Sequence, residues 1–123
     1  MIEIAYVNVF VTDLERAIGF YQSKLGLRLS HADEPHGYAS LEAGKVRLGL
    51  AQASGEHEAL AGRLTGIGLN VTDLEAEYAR LVGLGVEFEM PPTRQPWGGF
   101  MALVRDPDGN TLYLDEISAA HSE

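Results

Sequence analysis

Few side chains in this sequence are of types that do chemistry, and their spacing narrows what they could do. There are four histidines and no cysteine. His31 and His36 straddle a turn, His57 sits in a polar stretch, and His121 lies near the end. None has a carboxylate or second histidine at ligand spacing on a regular element, so they read as surface histidines. Without cysteine there is no disulfide, thiolate metal site or cysteine nucleophile. No glycine-rich phosphate loop and no nucleophile–base motif is present. Aromatic and polar side chains are left as the candidates. A tyrosine near Arg47 can act as acid or base if its pKa is perturbed. Trp97, the only tryptophan, follows Pro96 and precedes Gly98-Gly99. On such a loop its ring is either a structural plug or a stacking wall for a flat ligand.

The elements that must position these residues are written twice. Tyr6 to Glu15 returns as Gly66 to Glu75, and both copies end in Val-Thr-Asp-Leu-Glu. Val7, Val9 and Val11 match Ile67, Leu69 and Val71 in parity, the alternation of a strand buried on one face. The spacing predicts Thr12 and Thr72 as helix caps, with Glu15 and Glu75 completing capping boxes. Leu14, Ala17, Ile18, Tyr21 and Leu25 then share one helical face, and Gly26 stops the helix. A strand from Leu27, a turn at Glu34 to Gly37, and a hairpin over 38–51 complete a first βαβββ module, about 1–53. Residues 53–62 read as a linker. A second module covers about 63–118, with Leu74, Tyr78, Leu81, Val82 and Gly85 on one side of its helix. Its next strand ends at Pro91-Pro92. Asp106-Pro107-Asp108-Gly109-Asn110 is a turn between the last two strands, and Ser118 to Glu123 is a frayed tail. The expectation is one α+β domain over 1–123.

Composition removes several functions. A formal charge of −9 argues against nucleic acid, which needs clustered Lys and Arg. It favours cationic ligands by long-range attraction, or serves solubility alone. No apolar run approaches the roughly 20 residues of a membrane span. Met1-Ile2-Glu3-Ile4 has no basic n-region. With the lack of cysteine, this fits a cytoplasmic protein.

Val11-x-Asp13-Leu14-Glu15, Phe20-Tyr21-x-x-x-Leu25-Gly26-Leu27 and Asp106-Pro107-Asp108-Gly109-Asn110 resemble the vicinal-oxygen-chelate superfamily. That group includes glyoxalase I, extradiol dioxygenases, and fosfomycin- and bleomycin-resistance proteins. Gln95-Pro96-Trp97-Gly98 followed by Arg105-Asp106-Pro107 looks most like the bleomycin-resistance type. The resemblance implies a curved mixed sheet around a cleft, helices on the outer face, and a homodimer. It does not fix the reaction, because such folds host unrelated chemistries.

The resemblance also implies where a metal would sit. Metal-dependent members place a His or Glu at one inward position on each of four strands. Those positions fall here on Tyr6, Gly66 and Tyr113, and on Gly49 in a strand whose register no motif pins. Glycine has no donor, and a neutral tyrosine is a poor ligand for a divalent ion. The expectation is a site with no metal and no cofactor.

Strand parity then says what lines the cleft. With Val7, Val9 and Val11 on the helix, Tyr6, Asn8 and Phe10 face the other way, with Gly66, Gly68 and Asn70. Arg47, Gly49 and Ala51, then Thr111, Tyr113 and Asp115, follow by the same rule. Missing side chains at 49, 66 and 68 make room. Tyr6 and Tyr113 either line this space or pack on each other, and Arg47 either enters it or stays solvated. An aromatic cleft with a few placed polar groups suits a small molecule. The expectation is a metal-free protein that sequesters an aromatic or cationic compound, as in antibiotic resistance. The alternative is an enzyme of the same superfamily: a glyoxalase-type lyase/isomerase, a dioxygenase, or a metal-independent enzyme with a tyrosine acid/base. Elemental analysis of untagged protein is expected to find no stoichiometric transition metal. A metal lost on mutating Tyr6 or Tyr113 would overturn that expectation.

Overall fold

The alternating apolar residues form strands and the helical faces form helices, in the same order twice. The computed structural model describes residues 1–117; the expected tail and His121 lie outside the described residues. The first module runs β1 (Tyr6–Val11), α1 (Leu14–Ile18), β2 (Arg28–Asp33), β3 (Tyr38–Ala43) and β4 (Val46–Gln52). The second runs β5 (Leu64–Val71), α2 (Leu74–Gly83), β6 (Phe88–Arg94), β7 (Phe100–Arg105) and β8 (Thr111–Glu116). Each builds its own four-stranded mixed sheet, in the orders β1-β4-β3-β2 and β5-β8-β7-β6. The first strand of each sheet pairs parallel with the fourth, and the other pairings are antiparallel. This is the expected α+β fold of two βαβββ modules. Two compact units result: Met1–Arg63 with Pro107–Asn110, and Leu64–Asp106 with residues 111–117.

In the first unit, Val9, Val11, Leu41, Leu48 and Leu50 are buried with Leu14, Ala17, Phe20 and Tyr21. Each such large side chain contributes roughly 1.5–3 kcal/mol of burial. The helix cap lies one residue later than expected. Asp13, not Thr12, caps α1 by accepting from Arg16 N, and Asp73 caps α2 by accepting from Ala76 N. Aspartate in extended backbone accepts well from the N3 amide, which frees Thr12 for another bond. The next amide is satisfied from the sheet: Leu14 N donates to Gln52 Oε1, and Leu74 N donates to Glu116 Oε2. After Ile18 the helix widens into a π-type turn over Gly19–Lys24, where Leu25 N reaches Phe20 O. Gly26, at φ 85°, ends it, and Leu27 N closes on Tyr21 O.

The second unit departs from expectation in two places. Val82 stays 48% exposed, so the buried stripe of α2 is Leu74 and Leu81, with Tyr78 edge-on to Phe88. Strand β6 does not stop at Pro91-Pro92 but continues to Arg94. It is an edge strand whose register with β7 slips twice, between Phe88 and Met90 and between Met90 and Thr93. An irregular edge needs no ladder donor at those prolines. The stretch read as a linker carries 3₁₀ turns over Gly55–Leu60.

The turn between β7 and β8 closes the first unit. Asp108 accepts from Thr12 N at 3.1 Å, from Thr12 Oγ1, and from Arg16 Nη2 at 3.2 Å. Asn110, 1% exposed, accepts from Gly62 N at 2.8 Å and Arg63 N at 3.0 Å, and donates to Phe10 O at 2.9 Å. Gly109 makes the turn at φ 86°. Removing one buried side chain that serves three backbone groups leaves all three unpaired. Asn110→Ala is expected to cost about 2–4 kcal/mol, read as a lower urea midpoint. An unchanged midpoint would remove this role.

Candidate functional site

Each sheet has one face packed on its helix and one face the helix does not cover. Parity sets what the second face presents. In the first unit, β1 offers Tyr6, Asn8 and Phe10. The register sets Tyr6 beside Arg47, Asn8 beside Gly49 and Phe10 beside Ala51. Strand β3 adds Tyr38 and Ser40, opposite Ala51 and Gly49, and β2 adds His31 opposite Ser40. Ala5, Tyr6, His31, Tyr38, Ser40 and Arg47 line a hollow of about 430 Å³. Four of the expected residues, Tyr6, Asn8, Phe10 and Arg47, are thus brought to one face. Tyr38, Ser40 and His31 were missed. Alternation along 38–40 signals Tyr38 and Ser40, whereas His31 follows only from the shifted pairing of β2 with β3.

Gly49 does not make room, contrary to expectation. A Cβ there would collide with Asn8 Oδ1 and Tyr38 Oη. Tyr38 Oη donates to Asn8 Oδ1 at 3.2 Å across the glycine. The glycine lets a tyrosine and an asparagine meet over the sheet. Gly66 and Gly68 behave as expected, since a Cβ on either meets nothing within 4 Å. Gly66 also supplies a bulge: β5 slips against β8 between Leu64 and Gly68, and Gly66 has φ 75°.

Arg47 is exposed. Its strand neighbour Glu42 pairs with Arg28 at 3.5 Å. A hydrated guanidinium needs no buried counter-charge. At the β2–β3 turn, His36 Nδ1 lies 2.9 Å from Asp33 Oδ2. That hydrogen bond holds the Asp33 carboxyl below its ordinary value, against a smaller opposing effect of desolvation. The pair is exposed, so it contributes little.

The second unit carries the other two expected residues. Tyr113 lies on the face of β8 away from the helix, beside Gly68 and Leu103. Trp97 is 69% exposed at the tip of the β6–β7 hairpin. Its Nε1 lies 2.7 Å from where a Cβ on Gly99 would be, so the indole rests on that glycine. Trp97 is therefore not a plug in a dry core.

Tyr6, Gly49, Gly66 and Tyr113, the positions at which the resemblance implies metal donors, are two tyrosines and two glycines, and glycine has no side-chain donor. Among the described residues no three His, Asp or Glu side chains gather as a metal site would require. Nor is any helix among them long and apolar enough to cross a membrane.

Known proteins share this architecture. YraH of Bacillus subtilis (strain 168) is 27% identical over 123 residues, spanning 91% of this chain and 96% of its own. A superfamily member from Sphaerobacter thermophilus DSM 20745 superposes with a TM-score of 0.82 at 26% identity, covering 95% of this chain and 98% of its own. TnmS3, an antibiotic-binding protein from Streptomyces sp. CB03234, gives 0.80 at 29% identity, over 96% of this chain and 98% of its own. Two βαβββ modules, the strand–Asp-cap–helix repeat, and a match over residues 3–114 lead to one conclusion: the chain belongs to the Glyoxalase/Bleomycin resistance protein/Dioxygenase superfamily.

Proposed function

We propose that this protein binds and sequesters a small aromatic or cationic compound without a metal and without turning it over. The observation that carries this reading is the hollow beside Tyr6, Tyr38 and Arg47; the resemblance adds that Tyr6 and Gly49, on the same face, stand where metal donors would be expected. Such a surface offers ring contacts and a few polar groups, which is what a flat ligand needs. The likeness to TnmS3 supports the same reading. Tyr6, Asn8, Phe10 and Arg47 form a binding surface on the first unit, and Trp97 and Tyr113 one on the second. The net charge of −9 adds a salt-sensitive attraction for cations. The protein acts in the cytoplasm, which its lack of cysteine suits.

The reading includes a homodimer. The outer edge of β1 pairs with no strand of its sheet. Ile2 and Ile4, just before it, are 99% and 71% exposed. An apolar, unpaired edge invites a second copy. Light scattering at micromolar concentration is expected to give about twice the 13.3 kDa of one chain. A 13.3 kDa species would count against the dimer.

Binding is tested by Trp fluorescence titration with bleomycin-like and other aromatic cations at low and high salt. Quenching that weakens with salt is expected. Stacking is worth roughly 0.5–1.5 kcal/mol beyond area burial, so calorimetry should show Trp97→Ala binding several-fold more weakly with the fold intact. No quenching by any compound would sink the reading and favour an enzyme of the same superfamily.

A further inference from the structure

The charge that selects the ligand is the less obvious question. Asp115 lies on the face of β8 away from α2, beside Asn70 on β5 and Met101 on β7. Its Oδ1 is buried and has no hydrogen-bond partner among the described residues. The residues either side show that this is not a general shortage. Glu116, on the helix side, has a partner in Leu74 N at 3.0 Å. Buried carboxylate oxygens are almost always bonded, so an orphan calls for a reason. Asp115 as a whole is only half-buried. Its Oδ1 has lost hydration. An under-hydrated anion gains more than a solvated one from a cation placed against it.

The surroundings suit such a cation. Gly99 directly precedes β7, two residues before Met101, the strand neighbour of Asp115. Trp97 rests on Gly99, so its indole lies at that end of β7. Tyr113 is on the face of Asp115, and beside it Gly68 leaves open space. Indole and phenol faces and a thioether all attract cations or flat rings.

The geometry points to Asp115 as the residue that recognises a protonated nitrogen on a flat aromatic ligand stacked against Trp97. The inference rests on the binding reading above and adds the charge of the ligand and the residue that reads it.

Two dyes of one ring system test it by calorimetry: 9-aminoacridine, a cation at neutral pH, and acridine, largely neutral. The wild-type chain is expected to prefer the cation. Asp115→Asn is expected to lose roughly ten-fold or more of affinity for 9-aminoacridine and to leave acridine nearly unchanged. Trp97→Ala should weaken both. A melting temperature equal to wild type or higher confirms that Asp115→Asn is folded, as expected for a residue whose Oδ1 has no partner among the described residues. If neither dye binds the wild type, the binding reading fails and this one with it. If both bind and their ratio ignores Asp115→Asn, this inference alone is overturned, and water satisfies the oxygen. If instead Asp115→Asn lowers the molar mass without changing the ratio, the oxygen belongs to a subunit contact, which also overturns it.

Discussion

Two side chains in one turn hold the first unit together. Asp108 and Asn110 reach segments that are about a hundred residues away along the chain: Thr12 and Arg16 at the start of α1, and the backbone of Phe10 in β1. Asn110 also takes two amides at the end of the first module, Gly62 and Arg63. Each of these groups would otherwise be an unsatisfied donor or acceptor at an element's end, where regular structure offers no partner. A contact this distant closes a very long loop, so it forms late and contributes only with the rest of the fold in place. Its position at the junction of β1 and α1 ties it to the strand that presents Tyr6, Asn8 and Phe10.

The two modules use one plan with different fillings. Both begin with a half-buried strand, an aspartate cap and a helix whose first free amide is taken by the residue ending the fourth strand. Gln52 does this in one module and Glu116 in the other. The plan demands an acceptor of that length and leaves its charge open. On the faces away from the helices no such demand applies, and there the modules diverge. One carries Tyr6, Tyr38, Asn8 and Arg47; the other carries Tyr113, Asp115, Met101 and two glycines. Function in such a fold lives where packing leaves residue choice free.

Charge follows the same division. Arg47 is exposed and hydrated, and it makes no demand on a ligand. Asp115 has a buried oxygen without a partner among the described residues, and on the proposed reading it does make one. The net charge of −9 acts on any cation from a distance, but a single under-hydrated carboxylate acts at contact. On the proposed reading the first effect would speed encounter and the second would discriminate.

By itself the sequence determined the βαβββ repeat, the helix stop at Gly26, the turn at Gly109 and the faces of the strands. These follow from local rules: alternation of period two, helical spacing, and the few residues that tolerate positive φ. It did not determine the cap, because Thr12 and Asp13 are both good caps and only Asp108's need for Thr12 separates them. It did not show that β6 runs through Pro91-Pro92, because that depends on being a sheet edge. Nor did it show that Tyr38 and Asn8 fill the space over Gly49, or that Asp115 lacks a donor. Those are facts about neighbours on other strands. Only the tertiary structure decides them, since register between strands sets which side chains meet.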